Sequence, residues 1–279
     1  EIKKYLLYST KSSIFFVALD KEEDQVKIIK FIKLIEEKML RIKDELETIH
    51  MAQHPNIIKI QDCFRYYEYM CIVIPYTPHL SLHQYLENEY PNGLPEELAA
   101  NIFRQMLRAV EYLHSLSIWN RDIKLESFLV FDSENQTNAN NKLNIVLSNF
   151  EYAKIFEAGL KGTQFIGTPE FMAPEMVNHT PYDETVDIWS LGVSLFALLT
   201  GRLPFPNYRE HPHECLDHVS KGLLNYKFLE DKGISHSAIS LIKSMCDIDP
   251  KQRVSATTAL MSTWILENNV YMNSNEAEI

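Results

Sequence analysis

The chain has 279 residues, 46% of them hydrophobic, and a formal net charge of −11. That length allows one large domain or two unequal lobes with a sizeable core. The acidic balance argues against a nucleic-acid surface or a membrane surface as the main partner, and the longest apolar run, Leu191 to Thr200, is too short to span a bilayer.

Four cysteines, Cys63, Cys71, Cys215 and Cys246, lie far apart in no framework spacing, as expected of reduced, mostly buried thiols in a cytoplasmic protein. The opening E-I-K-K-Y is no signal peptide, and a start without methionine points to a fragment or processed form. Of 8 glycines the first is Gly93, so the preceding stretch holds neither a G-x-G-x-x-G loop nor a P-loop.

Tyr5 to Leu19 and Gln25 to Ile32 are rich in β-branched and aromatic residues and read as strands around a charged turn, Asp20 to Asp24. Residues 33–52 switch to helical spacing, with Ile35, Met39, Ile42, Leu46 and Ile49 on one face and Glu45 at its border. H-P-N at 54–56 ends that helix. Ile57 to Ile60 and Tyr69 to Ile74 read as two more strands, and Pro75 to Pro78 as a hinge. Pro95 and Glu96 open a long amphipathic helix bearing Leu98, Ile102, Met106, Val110 and Leu113.

A polar loop follows, within I-W-N-R-D-I-K-L-E-S-F-L at 118–129. Its Asp122 and Lys124 could take a proton from a hydroxyl and neutralise a phosphoryl group. Taken alone, such alternating charges usually mark only a solvated loop. Phe128 to Phe131 and Leu143 to Leu147 read as two short strands flanking an Asn-rich polar insert, Asp132 to Lys142, expected to be an exposed hairpin tip. Gly159 to Gly167 reads as a loop. Asp183 should cap a helix that is apolar nearly all round and ends at Gly201. His211, His213, Cys215 and His218 are metal-ligand types, but H-x-H-x-C-x-x-H is no standard spacing and a surface loop is the favoured reading. The end of the chain, 267–279, is polar and expected to fray.

Together these stretches resemble the eukaryotic protein-kinase fold over about residues 3–266. N-R-D-I-K-L-E-S resembles the catalytic loop H-R-D-L-K-P-E-N. G-T-P-E-F-M-A-P-E at 167–175 resembles the end of a serine/threonine-kinase activation segment, and D-I-W-S-L-G at 187–192 the central-helix signature. Y-D-E-T-V-D-I-W-S-L-G-V is similar to the calcium/calmodulin-dependent group. The resemblance implies an α+β bilobal fold: a β-rich lobe with a helix C over 1–76, a mainly helical lobe over 77–266, and a tail, 267–279. It also implies that Arg253 pairs with Glu175, that Asp187 is structural, and that Thr168 bonds Asp122 and Lys124.

The departures from that pattern carry the functional expectation. Lys30 in K-I-I-K resembles the lysine that holds the nucleotide phosphates, and Glu45 its helix-C partner. Tyr8, Thr10 and Ser13 stand where three glycines would let backbone approach phosphate. Phe15 and Ile28 put bulk where the family's adenine slot has Val and Ala; a shifted alignment would bring Val17 there instead. Ile74, Pro75, Thr77 and Leu129 complete the slot. Of the Mg²⁺ ligands, Asn149 replaces the Asp of D-F-G and Ser127 the catalytic-loop Asn, with Glu151 bringing a nearby carboxylate in place of glycine. Asn120 replaces the His of H-R-D beside a retained Arg121. Gln164 stands where many kinases carry an activating phosphothreonine, with Thr163 adjacent.

These departures point to a pseudokinase that works by binding signalling proteins or an active kinase, through helix C or residues 205–225. No cofactor is expected, although ATP without Mg²⁺ fits the hinge. The rival readings are a slow, metal-independent serine/threonine kinase using Asp122, Lys124 and Lys30, and a nucleotide sensor without phosphoryl transfer.

Overall fold

The computed structural model describes residues 5–9, 13–36, 39–78, 81–132 and 143–268. Thr10, most of the Asn-rich insert (133–142) and the tail from 269 lie outside the described residues. The chain builds a β-sheet lobe followed by a helical lobe, a mixed α+β arrangement.

The first lobe is a five-stranded antiparallel sheet in the order β1-β2-β3-β5-β4. Its strands are β1 (Tyr5–Ser9), β2 (Ser13–Asp20), β3 (Gln25–Lys33), β4 (Asp62–Tyr66) and β5 (Tyr69–Pro75). Residues directly opposite one another share a face. Phe15 lies opposite Lys30, and Val17 opposite Ile28, so both β2 candidates for the slot face the same way. Ile28 also faces Ile74 across β5. The other side of the sheet carries a separate cluster, with Ala18, Ile29, Phe31, Cys71 and Val73 buried beneath Phe16 and Tyr69.

Two sequence expectations about the first lobe need correction. The helix expected over 33–52 is α1, Met39–Met51. Lys33 pairs with Tyr69, and Leu34 donates its N–H to Glu68 at 2.7 Å, so those backbone groups belong to the sheet despite their helical spacing. Ile35 and Met39 are therefore exposed, whereas Ile42 and Ile49 are buried, each contributing ~1.5–3 kcal/mol. Glu45 does not border the buried face; it is part of it, at 3% exposure. The second correction concerns Ile57 to Ile60, which forms no sheet strand. Ile57 makes one parallel bridge to Leu147, and Asn56 donates its amide to the Ile145 carbonyl. The run is apolar because it docks the first lobe on the second. The missing strand is β4, exposed along its length and so without an alternating pattern to read.

The second lobe begins with α2 (Leu82–Glu89), capped by Ser81, and α3 (Glu96–Ser115), which buries Ile102, Met106, Val110 and Leu113. Next come β6 (Ile118–Trp119), a 3-10 turn (Leu125–Ser127), β7 (Phe128–Asp132), β8 (Leu143–Leu147) and β9 (Lys154–Ile155). β7 pairs with β8 and β6 with β9. A short α4 (Pro174–Val177) precedes α5 (Thr185–Thr200), which is buried from Val186 to Thr200. Asp183 accepts the Thr185 N–H at 3.1 Å at the head of α5. Gly201 closes it at φ +75°, where an added Cβ would strike the Pro91 carbonyl. The remaining helices are α6 (Pro212–Ser220), α7 (Tyr226–Asp231), α8 (His236–Met245), α9 (Ala256–Leu260) and α10 (Thr263–Glu267).

The His/Cys stretch at 211–218 is mostly helix rather than loop. Cys215 points into the core while His211 and His213 are exposed, and no group of three or more metal-ligand residues occurs among the described residues. Among those residues, no helix is long and apolar enough to cross a membrane.

Candidate functional site

The site is assembled from β3, α1, the segment between β6 and β7, and the segment after β8. From the sheet, Lys30 reaches Glu45 of α1, with Nζ to Oε1 at 2.6 Å. Both side chains are largely withdrawn from water, at 12% and 4% exposure.

The segment after β6 holds an unusual backbone. Arg121 adopts φ +66°, a left-handed conformation that a long side chain rarely takes. Asp187, fully buried at the start of α5, pins it there. Its carboxylate accepts the Arg121 N–H at 2.7 Å and the Asn120 N–H at 2.9 Å, and lies 3.0 Å from His114 Nε2. Several charge-assisted bonds can hold such a strained residue. The Arg121 guanidinium then donates to the Tyr152 carbonyl through Nε and Nη2, and to Gln164 Oε1 through Nη1 at 3.1 Å. Thr163, beside Gln164, is exposed.

Asp122 is 6% exposed and surrounded by donors. Thr168 Oγ1 donates to Oδ1 at 2.7 Å, and Lys124 Nζ lies 3.2 Å from Oδ2. Lys124 also donates to Thr168 at 2.6 Å, closing a triangle. Burial nonetheless outweighs Lys124 and Thr168 and holds the Asp122 carboxyl above the usual carboxylate range. Gly167 makes this approach possible, since at φ +104° a Cβ there would come within 2.6 Å of the Arg121 carbonyl.

Asn149 completes the set. Its Nδ2 donates to Asp122 Oδ2 at 3.1 Å and its Oδ1 accepts the Glu151 N–H at 3.3 Å. Ser127, fully buried, donates its hydroxyl to the Asp122 backbone carbonyl at 2.9 Å. A hard divalent cation is normally held by a charged carboxylate together with phosphate oxygens. A donating amide and a committed hydroxyl supply neither, so the residues at 149 and 127 do not fit Mg²⁺. The nearby carboxylate of Glu151 lies 3.7 Å from Arg41 Nη1 on α1, and Arg41 also covers the Tyr152 ring.

The slot residues Ile28, Ile74 and Leu129 are buried in one core with half-buried Phe15. Thr77 is fully buried and donates its hydroxyl to the Val130 carbonyl. Pro75 ends β5 opposite Lys27. Of the positions read as glycine replacements, Tyr8 lies in β1 opposite Phe15, Ser13 is buried at the start of β2, and Thr10 is outside the described residues. Away from the cleft, Arg253 meets Glu175 in a bidentate pair, at 2.5 and 2.7 Å.

Sequence reasoning missed the bonds that organise this site from within. It weighed Asn149 only as a weak metal ligand, Asn120 only as a lost histidine and Gln164 only as a lost phosphorylation point. Each amide meets a partner 27 or more residues away, Asp122 for Asn149, the Asn149 carbonyl for Asn120 and Arg121 for Gln164, so no local pattern signalled these bonds.

Comparisons with known proteins place the chain in one family. The profile of the protein kinase domain matches residues 10–265. The chain is 31% identical over 262 residues to myosin light chain kinase A of Dictyostelium discoideum, an alignment covering 92% of this chain and 85% of that protein. It is 28% identical over 252 residues to calcium/calmodulin-dependent protein kinase type 1 of Macrobrachium nipponense, covering 88% and 70%. A probable myosin light chain kinase of Dictyostelium discoideum is 31% identical over 250 residues, covering 88% and 61%.

Proposed function

The chain belongs to the protein kinase domain family, and from that premise we propose that it is a pseudokinase, a kinase-like domain that acts by binding other proteins. One observation carries the reading. Asn149 and Ser127, at the two positions the resemblance gives to Mg²⁺ ligands, spend their side chains on hydrogen bonds inside the protein. Losing one stabiliser of transition-state charge typically costs on the order of 10²–10³ in rate. Two such losses, with the glycine positions taken by Tyr8, Thr10 and Ser13, leave little turnover, though such costs do not simply add.

The occupant of the binding role is a signalling protein or an active kinase. Support comes from the outer side of α1, where Met39 and Leu40 are exposed, and from the 205–225 region, where Leu223 is. A second reading is favoured by the intact triangle of Asp122, Lys124 and Thr168 and by the Lys30–Glu45 pair. It is slow, metal-independent transfer to a serine or threonine hydroxyl, with Asp122 as proton acceptor.

Transfer from ATP to a basic serine peptide, measured with Mg²⁺ and again in EDTA, separates the two. The pseudokinase reading expects no transfer above that of Asp122→Asn in either condition. Transfer that vanishes in both Asp122→Asn and Lys30→Met would overturn it, and persistence in EDTA would select the metal-independent enzyme.

A further inference from the structure

We propose that the Asn149 amide is a built-in substitute for a cation: it holds the Asp122 carboxylate directly, so that the Asp122–Lys124–Thr168 set stands with no metal. The inference extends the pseudokinase reading from the loss of ligands to the residue that replaced them.

The orientation of the amide is chemically determined. Nδ2 faces Asp122 Oδ2 at 3.1 Å, and Oδ1 faces the Glu151 N–H at 3.3 Å. Flipping the group would set oxygen against carboxylate and N–H against N–H, so only one assignment makes both bonds. A metal ligand at this position would have to present an oxygen. Here the oxygen is used by the backbone, and the nitrogen offers a proton where a cation would offer charge.

The surroundings hold the amide in that pose. Asn120 donates its Nδ2 to the Asn149 backbone carbonyl at 2.8 Å and accepts the Asp122 N–H with Oδ1 at 3.2 Å. One asparagine thus fixes both backbones that the other must span. Ser148 donates its N–H to the Ser127 carbonyl at 2.8 Å, and Ser127 donates its hydroxyl to the Asp122 carbonyl, tying the segment after β8 to the 3-10 turn. Asp122 therefore receives Thr168 on Oδ1 and both Asn149 and Lys124 on Oδ2. Most of its acceptor capacity is met by protein donors.

An aspartate at 149 would keep the shape and reverse the chemistry. Its outer oxygen would face Asp122 Oδ2 across hydrogen-bond distance, and two carboxylates so placed cannot both stay ionised without a proton or a cation between them. Asn149→Asp should thus make the domain depend on metal for stability, whereas the wild type should not.

The test is thermal denaturation of wild type, Asn149→Asp and Asn149→Ala in EDTA and in millimolar Mn²⁺, with Mn²⁺ uptake followed by electron paramagnetic resonance. Wild type should melt at one temperature in both conditions and take up no Mn²⁺. Asn149→Asp should melt several degrees lower in EDTA, recover in Mn²⁺ and bind one equivalent. Asn149→Ala should be weakened without recovery. Recovery of folding only in Mn²⁺, should Asn149→Asp fail to fold in EDTA, supports the proposal equally. Wild-type Mn²⁺ uptake that Asp122→Asn abolishes, or an Asn149→Asp protein as stable as wild type in EDTA, would sink it. None of these outcomes depends on phosphoryl transfer, so the proposed function and this inference fail separately.

Discussion

Lys30 and Glu45, from β3 and α1, meet at 2.6 Å in a pocket that leaves Glu45 only 4% of its side-chain exposure. The pair ties the helix to the sheet regardless of what occupies the cleft. Breaking a buried pair by removing one partner strands a charge and costs about 3–5 kcal/mol, whereas an apolar pair of similar volume can be nearly neutral. Lys30→Met and Glu45→Leu should each approach that loss in urea denaturation, and the double variant should lose less than either. Losses below ~1 kcal/mol for both single variants would mean that the pair is held mainly by its surroundings.

Arg253 and Glu175 give a parallel case in the helical lobe. The guanidinium side chain is fully buried, bonds both carboxylate oxygens and lies over the Trp189 ring. Arg253→Ala should cost about 3–5 kcal/mol. Arg253→Lys should restore only a minor part, because an ammonium cannot reproduce the planar two-pronged contact. Full recovery by lysine in a chemical-denaturation series would contradict this.

Gly167 is tested by a single methyl group. Its φ of +104° and the 2.6 Å approach to the Arg121 carbonyl leave no room for one. Gly167→Ala should cost about 2 kcal/mol or more through strain and contact. It should also displace Thr168, seen as chemical-shift changes at Asp122 and Lys124 in amide spectra. An unchanged spectrum would show that the backbone relaxes cheaply.

The pH dependence of stability carries opposite signs at two aspartates. Asp122 is held above the usual carboxylate range by burial, so between the usual value and its own the folded chain binds that proton more tightly than the unfolded chain. Its contribution to stability falls as pH rises through that window and is flat above it. Wild type measured against Asp122→Asn from about pH 4 to 7 should therefore lose relative stability with rising pH. At Asp183 burial also pushes upward, but Lys161 and the Thr185 hydroxyl and N–H outweigh it and leave the carboxyl below the usual range. Its contribution is present above the usual value and fades as pH falls. Wild type against Asp183→Asn should show the reverse slope.

Thiol accessibility offers an inexpensive check on the packing. Cys63 is exposed, whereas Cys71, Cys215 and Cys246 are buried. Burial pushes the Cys215 thiol up to about 11 and the Cys246 thiol up to about 12. An aromatic disulfide reagent should titrate one thiol in the native protein and all four in denaturant. Rapid reaction of a second native thiol would place one of the buried cysteines at the surface.

What the sequence determined by itself was the material governed by short-range rules. α3 and α5 were legible because long apolar periodicity coincides with Pro95 at one start and Gly201 at one end. The kinase-like fold was legible because its motifs are long and ordered along the helical lobe. The failures share a physical cause. The spacing through Ile35 and Met39 looks helical, but the ladder to β5 takes the backbone donors of residues 33–34 first, and only partner strands decide that. β4 has no pattern because it is an exposed edge, and Ile57 to Ile60 is apolar for docking rather than pairing. At the site, the resemblance to kinase motifs named the residues at 122, 127 and 149 but not the direction of their bonds. Asn149 lies 27 residues from Asp122 in the chain. Whether its amide offers oxygen or nitrogen depends on the Glu151 N–H on one side and a carboxylate on the other, an arrangement that exists only once the segments have packed.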